Sequence, residues 1–288
     1  MISHPDKVLF PEDGITKGEL ADYYDAIAPV MLPHLRGRPV TMERFPSGIG
    51  HQGFLQKDVS KGFPDWLKRV EVPKKGGSVH HPLIDDRRSL LWLANQNCIT
   101  PHVWTSRAPN VYRPDICVFD LDPSEEEPER LRAAALAVRD LLDELGLGSW
   151  LKTSGSKGFH IVVPLEARDG FDKVAAFALA VATALVKRHP RDLTLEFSKA
   201  DRGDRIFMDT GRNGYSATCA AAYAVRARPG APVSAPCTWD ELERGEVGPR
   251  TFSVRGMSRR IEKVGDLWSE MYGQTPSLGR SLERLRTL

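Results

Sequence analysis

With 288 residues, 41% of them hydrophobic and 27% charged, the chain is ordinary globular material, long enough for one large domain or two closely associated lobes, and not a disordered or fibrous polymer. Its formal net charge of +2 neither requires nor excludes a nucleic-acid partner, since acids gather at residues 125–129 while basic side chains crowd elsewhere. Four cysteines without a CxxC pair, no basic-then-apolar segment in residues 1–20 and no apolar run beyond 175–186 exclude a disulfide framework, a zinc cluster and a membrane anchor from expectation.

Thr16-Lys17-Gly18-Glu19 is a capping-box pattern, and Leu20, Tyr23, Tyr24, Ile27 and Val30 then recur at helical spacing, predicting an amphipathic helix over about 17–32. Val40–Arg44 reads as a strand, followed by a loop marked by Gly48, Gly50 and Gly53. Val70–Val72 and Val79–Leu83 flank Pro73-Lys74-Lys75-Gly76-Gly77, which predicts a hairpin with a basic, exposed tip. A helix over Leu90–Ala94 and a buried strand over Asp115–Leu121 come next. Pro128 suits the first turn of a helix running through Leu131, Leu136, Val138 and Leu142 and stopping near Gly146. Strands are predicted near Trp150–Lys152 and Phe159–Val163, a helix over about 171–188, and strands near Thr194–Phe197 and Arg205–Asp209. Residues 229–236 read as a loop before a C-terminal arm. Nothing repeats, and the alternation predicts an α/β protein whose sheet gathers Asp120, Asp122, the 152–163 segment and Asp209.

Three constellations carry chemistry. The run Val118-Phe119-Asp120-Leu121-Asp122-Pro123 ends in two carboxylates at i and i+2, which share one face of a strand and repel unless a cation lies between them. Such hard oxygen ligands suit magnesium or manganese; the alternative is that the pair caps the next helix. The segment Lys152-Thr153-Ser154-Gly155-Ser156-Lys157-Gly158-Phe159-His160 combines glycines, which let backbone N–H groups line an anion, with Ser, Lys and His donors, though without the Walker spacing. A Gly/Ser turn between strands, with a solvated lysine and a core histidine, is the plainer reading of it. Asp209 ends a further apolar strand, and Arg226 and Arg228 form an i, i+2 pair that on a strand would face one way and require an anion; a solvated basic edge is the alternative. Three acids, an anion loop and convergent arginines make up the parts of metal-assisted phosphoryl or nucleotidyl transfer.

On these residues the chain resembles the polymerase domain of bacterial ligase D, the non-homologous end-joining member of the archaeo-eukaryotic primase superfamily. The family's hDhD strand end, SxxxxxH-type nucleotide loop and later hD strand end stand here as Val118–Asp122, Ser154–His160 and Met208-Asp209. The likeness extends through Asp6–Pro11, Gly14–Lys17, Phe54–Lys57, Pro64–Trp66, Pro101–Trp104 and Tyr223–Arg228, covering nearly the whole chain.

The resemblance implies an α/β (α+β) primase-like fold with central mixed and antiparallel sheets, flanking helices and an active site in the cleft between them. It implies a single catalytic domain over 1–288, with a DNA-phosphate-binding part at about 1–110, a core at about 111–230 and a C-terminal arm at about 231–288. Asp120, Asp122 and Asp209 would hold two Mn2+ or Mg2+ ions. Ser154, His160, Arg226 and Arg228, with Lys152 and Lys157, would contact the triphosphate of an NTP or dNTP, and His102 and Arg212 would complete that pocket. Lys7 and Lys17 would grip the 5′-phosphate of a gapped or broken DNA duplex, and Phe54, Phe63 and Lys57 would meet DNA, the aromatics by stacking on bases. The implied enzyme is a monomeric, cytoplasmic and nucleoid-associated polymerase that fills short gaps or joined ends in repair, prefers ribonucleotides and manganese, and works with a Ku-like protein and an ATP-dependent DNA ligase.

The sequence departs from the familiar pattern in two places. The loop reads Ser-Gly-Ser-Lys-Gly instead of Ser-Gly-Gly-Lys-Gly, and Asp209 is followed by Thr-Gly-Arg-Asn where many relatives carry Trp or Tyr. No KxDG nucleotidylation motif is present, so a stand-alone or excised polymerase is expected. Two other classes compete with this reading: a haloacid-dehalogenase-like phosphatase, suggested by Asp120-Leu121-Asp122-Pro123-Ser124, and a non-catalytic DNA-end-binding module. The first would leave the Ser154 loop and the arginine pair idle, and the second would have no use for three acids.

Overall fold

The computed structural model describes residues 2–59 and 62–287. The chain divides into two compact units, the first formed by residues 1–111, 218–235 and 252–266 and the second by 112–217, 236–251 and 267–288. The first unit runs through β1 (Val8–Phe10), β2 (Ile15–Thr16), α1 (Lys17–Leu35), β3 (Val40–Arg44), β4 (Phe54–Gln56), β5 (Arg69–Lys74), β6 (Gly77–Pro82), α2 (Arg87–Asn95) and β7 (Cys98–Trp104). The second follows with β8 (Ile116–Pro123), α3 (Pro128–Glu144), β9 (Trp150–Thr153), β10 (Phe159–Pro164), α4 (Phe171–Arg188), β11 (Leu193–Thr194), α5 (Lys199–Arg202) and β12 (Ile206–Asp209). The chain returns to the first unit for β13 (Thr218–Ala220), β14 (Ala224–Val225) and β15 (Val233–Ser234), then crosses to the second for β16 (Pro236–Cys237) and α6 (Trp239–Glu243). It closes with α7 (Val254–Val264) in the first unit and α8 (Leu278–Leu285) in the second.

In the first unit an antiparallel sheet of order β13-β7-β3-β4 is joined by α1, whose capping box forms as the sequence predicts: Thr16 Oγ1 accepts from Glu19 N and Glu19 Oε2 accepts from Thr16 N. The helix runs on to Leu35, with Leu20, Tyr23, Tyr24 and Ile27 on its buried side. Its two tyrosines also satisfy polar backbone. Tyr23 Oη donates to Tyr223 O at 2.7 Å, and Tyr24 Oη donates to Ile99 O at 2.6 Å while accepting from Val225 N, so α1 fixes the turn that leads to Arg226. The hairpin β5–β6 pairs Lys74 with Gly77, leaving Lys75 and Gly76 as an exposed basic tip.

The second unit is built on a mixed sheet of order β11-β12-β8-β10-β9-β16, parallel only between β11 and β12. Helices α3 and α4 pack on it, with Leu131, Val138, Leu142, Val174, Phe177 and Val181 buried. Asp120 and Asp122 lie inside β8, not beyond its end, and α3 starts after Glu127 without a side-chain cap, so the helix-cap alternative for the Asp pair does not hold. The strand expected over 194–197 stops at Thr194. Thr194 Oγ1 accepts from Glu196 N, and the carbonyls of Glu196 and Phe197 are taken by Arg202, which leaves no ladder for the chain to continue.

All four cysteines are buried thiols, and burial pushes those of Cys98 and Cys117 well up. Among the described residues no helix is long and apolar enough to cross a membrane.

The pairing of β12 with β8 ends at Asp209 opposite Asp120. Beyond that point the buried amide of Asn213 takes the place of a strand: its Oδ1 accepts from Val118 N at 2.7 Å, and its Nδ2 donates to Val118 O at 2.7 Å and Thr210 O at 3.0 Å. Asn213→Ala strips both Val118 groups of this partner; it lowers unfolding free energy by about 2–6 kcal/mol at roughly 1–3 kcal/mol per orphaned buried group, measurable by urea denaturation.

Candidate active site

The register of the second unit's sheet assembles the acids. Asp209 on β12 pairs with Asp120 on β8, Asp120 with His160 on β10, and His160 with Lys152 on β9, so four polar side chains form one row across four strands. Directly paired residues share a face of the sheet, and Asp122, two residues beyond Asp120, shares it too. Asp120, His160 and Lys152 are buried, whereas the Asp122 side chain is 42% exposed and open to a ligand.

Guanidiniums balance these carboxylates. Arg212 Nε donates to Asp120 Oδ2 at 3.1 Å while its Nη2 lies 3.3 Å from Asp209 Oδ2, so one side chain bridges two acids. His160 Nε2 stands 3.4 Å from Asp120 Oδ1, and the buried Arg202 donates from Nη1 to Asp122 Oδ2 at 3.1 Å. Burial raises the Asp120 carboxyl above its ordinary value; Arg212 opposes this, Asp209 adds to it, and Lys152 offsets part. Among the described residues no group of three or more His, Cys, Asp or Glu side chains is placed to hold a metal ion. The chemistry of the donor set still fits a hard divalent cation, because three carboxylates share one face and a guanidinium already occupies a cation's position between two of them.

The Ser154–Gly158 loop differs from expectation in how its donors are used. Ser154 Oγ accepts from Ser156 N at 3.0 Å and Gly158 N at 3.1 Å, and Gly155 N donates to Pro249 O at 3.0 Å. These N–H groups organise the loop and do not line an anion. A Cβ on Gly158 would lie 1.7 Å from Leu121 O, so only glycine lets the loop press against β8 beside Asp122. Arg250 Nε donates to Ser156 O at 2.7 Å and its Nη2 to Glu126 Oε1 at 3.2 Å. Lys157 lines a cavity of about 360 Å³ with Glu126, Pro249 and Arg250, apart from the acid row. Pro249, Arg250, Arg202 and Asn213 have no motif spacing that would have marked them in the sequence.

The remaining residues belong to the first unit. Lys7 and Lys17 line a cavity of about 640 Å³ together with Ser3, His4, Asp6 and Asn95. Lys17 Nζ donates to Ser3 Oγ at 3.0 Å, and burial, with the charge of Lys7 added, lowers the Lys17 pKa, as two ammoniums around one cavity must do until an anion joins them. His102 on β7 lies with Nε2 3.1 Å from Glu43 Oε2 on β3. Arg226 and Arg228 are not on a strand: β14 ends at Val225, Arg228 N donates to Arg226 O in a tight turn, Arg226 is half-buried and Arg228 exposed. The argument that they face one way therefore fails, although the charge of Arg226 acts on Glu43. Phe54 is 47% exposed under the Arg44 guanidinium, Lys57 is exposed, and Phe63 is half-buried with its ring 4.7 Å from that of Trp92.

Paired carboxylates in register on a mixed sheet, beside a glycine-serine loop and buried basic side chains, suit the chemistry of phosphate-bearing substrates. The sequence matches the family described as LigD, primase-polymerase domain, over residues 16–268. It is 36% identical over 278 residues to the multifunctional non-homologous end joining protein LigD of Mycolicibacterium smegmatis, covering 96% of this chain and 36% of that protein. It is 35% identical over 288 residues to the protein of the same description from Pseudomonas aeruginosa, covering 98% and 34%. The chain thus spans about a third of the length of these curated relatives. Among solved structures it is similar to the polymerase domain from Mycobacterium tuberculosis ligase D in complex with DNA, with a TM-score of 0.90, 35% identity and coverage of 96% of this chain and 99% of that one. The chain belongs to the LigD primase-polymerase domain family, and the phosphatase alternative is set aside.

Glu43, missed in the sequence, yields a test of the first unit's cluster. Burial alone would raise its carboxyl, but the bond and charge of His102, the Thr100 hydroxyl and the Arg226 charge outweigh it and hold the carboxyl below its ordinary 4.5. A carboxyl depressed by folding stabilises the native state above the unfolded pKa and loses that contribution as pH falls through the lower folded value. Glu43→Gln is therefore less stable than the parent at neutral pH, and in thermal melts the two converge as pH falls below 4.5 through the lower folded value.

Proposed function

We propose that the chain is a template-directed polymerase that adds nucleotides to a primer 3′-hydroxyl, filling short gaps or joined ends during DNA repair by non-homologous end joining. The observation that carries this reading is the row Asp209–Asp120–His160–Lys152, with Asp122 on the same face and the Ser154 loop pressed beside it. Asp120, Asp122 and Asp209 hold Mn2+ or Mg2+ in this proposal, as a pair of ions. Bound there, the ions supply charge neutralisation at the reacting phosphate and acidify the attacking hydroxyl.

The chain's own residues orient the substrate. His160 and Lys152 would present donor groups to the triphosphate beyond Asp120, and Arg212, which bridges Asp120 and Asp209, would turn to a phosphate where those acids held a metal ion. The Ser154 hydroxyl keeps the loop in shape, and Lys157 meets phosphate from the loop's outer side. In the first unit His102, Arg226 and Arg228 are proposed nucleotide contacts, with Glu43 orienting His102. Lys7 and Lys17 are proposed to receive the 5′-phosphate across the gap, an anion that would offset the burial and the Lys7 charge that lower Lys17. Phe54 and Lys57 are kept as DNA contacts because they are exposed; Phe63, packed on Trp92, is the weaker stacking candidate. A Ku-like protein and an ATP-dependent ligase are the proposed partners, in keeping with the end-joining descriptions of the relatives.

Two variants test the two halves of this reading. Asp120→Ala lowers manganese-dependent primer extension by on the order of 10³-fold, the loss of several kcal/mol of charge stabilisation, while DNA affinity stays within a few-fold. Preserved extension removes the acid row from the chemistry. Lys17→Ala weakens binding to gaps that carry a 5′-phosphate and reduces the slope of log K against log salt by about one, with little effect on unphosphorylated gaps. Equal losses on both substrates would count against the phosphate grip.

A further inference from the structure

Phe197 is the most exposed large apolar side chain among those described, at 80%, and none of the roles assigned above uses it. Single exposed hydrophobic residues are common on protein surfaces, so exposure by itself says little. Its placement says more. The Phe197 ring packs edge-on against Phe207, with centroids 6.0 Å apart and planes at 81°. Phe207 is the direct cross-strand partner of Asp122, so its side chain stands on the acid-bearing face of the sheet, and Phe197 is seated over that face.

The segment carrying Phe197 is braced from the site itself. The Arg202 guanidinium donates from Nε to Glu196 O at 2.9 Å, from Nη2 to Phe197 O at 2.8 Å and from Nη1 to Asp122 Oδ2 at 3.1 Å. The same guanidinium lies over the Phe207 ring, 4.1 Å from its centroid. One buried arginine thus ties the backbone of Phe197 to the carboxylate of Asp122. The backbone that carries the exposed phenyl is already ordered before the ring meets a flat partner.

The side on which it stands selects the partner. Strand order is β12-β8-β10-β9, so Asp122 on β8 has Phe207 and Phe197 on its β12 flank and the Ser154 loop, His160 and Lys152 on its β10–β9 flank. Lys152, His160 and the Ser154 loop on the second flank suit the polyphosphate that leaves, while the guanidiniums on the β12 flank, Arg202 and Arg212, are engaged by Asp122, Asp120 and Asp209. In phosphoryl transfer the attacking and leaving oxygens lie roughly in line on opposite sides of the phosphorus. The attacking hydroxyl then arrives from the β12 flank, and with it the terminal base of the strand that bears it.

We infer that Phe197 is a base-stacking residue for the 3′-terminal nucleotide of the attacking strand. The inference rests on the nucleotidyl-transfer reading of the acid row. An aromatic face accepts any base, so the contact positions the strand end without selecting sequence.

The test places 2-aminopurine at the 3′ end of a primer annealed to a template and follows its fluorescence and anisotropy as the full chain is added, without nucleotide. The parent quenches the terminal 2-aminopurine. Phe197→Ala loses that quenching and binds the primed template roughly tenfold more weakly, about 1.4 kcal/mol of a stacking contact. Phe197→Tyr and Phe197→Trp keep the quenching, and Phe197→Leu, which preserves apolar packing on Phe207, does not. Unchanged quenching and affinity in Phe197→Ala, or a leucine variant that behaves as the parent, overturns the inference. Extension by the unsubstituted chain, assayed in parallel, reports on the underlying reading separately. Phe197-dependent quenching without extension supports the stacking contact and removes the polymerase reading; extension with no dependence on Phe197 does the reverse.

Discussion

The second unit is organised around two carboxylates that face each other as direct partners on adjacent antiparallel strands, Asp120 on β8 and Asp209 on β12. Like charges in that relation destabilise a sheet, and burial of Asp120 makes the charged form costlier still. A fold that keeps such a pair must supply positive charge nearby. Arg212 bridges the two acids, His160 and Lys152 extend the row on the far side of Asp120, and Arg202 closes on Asp122. Asn213 holds the turn that delivers Arg212 by acting as a one-residue strand against Val118. In the proposed function this arrangement is a cation site, with basic side chains balancing the acids.

This view reassigns the glycine-serine loop. Its N–H groups were expected to cradle an anion, but Ser154 Oγ and Pro249 O take those of residues 155, 156 and 158. The loop is a rigid wall that presses on β8 at Gly158 and is strapped from outside by Arg250. In the proposed function, contacts with a phosphate fall to side chains, and a serine in place of the family's commoner second glycine adds bulk at residue 156.

Local patterns carried most of the fold into the sequence. The capping box at Thr16, the basic hairpin tip and the helix opening at Pro128 stand where residue type and spacing put them, because each depends on neighbours within a few positions. The DxD pair was legible for the same reason, since the period of a strand fixes its shared face. What was not legible depended on tertiary register. Nothing local pairs Asp209 with Asp120, joins Glu43 to His102 across β3 and β7, or tells that Arg202 rather than a β ladder would claim the carbonyls of Glu196 and Phe197. The arginines at 226 and 228 were misread through the strand period, which a turn after Val225 interrupts.

The central claim is that the guanidiniums on the acid row stand where divalent ions work. Anomalous diffraction at the manganese edge, from crystals of the chain grown with Mn2+ and a nucleoside triphosphate, tests it most directly. The account predicts manganese density among Asp120, Asp122 and Asp209 with Arg212 withdrawn from the carboxylates. Nucleotide bound with Arg212 still bridging Asp120 and Asp209, and manganese absent from all three acids, would contradict it.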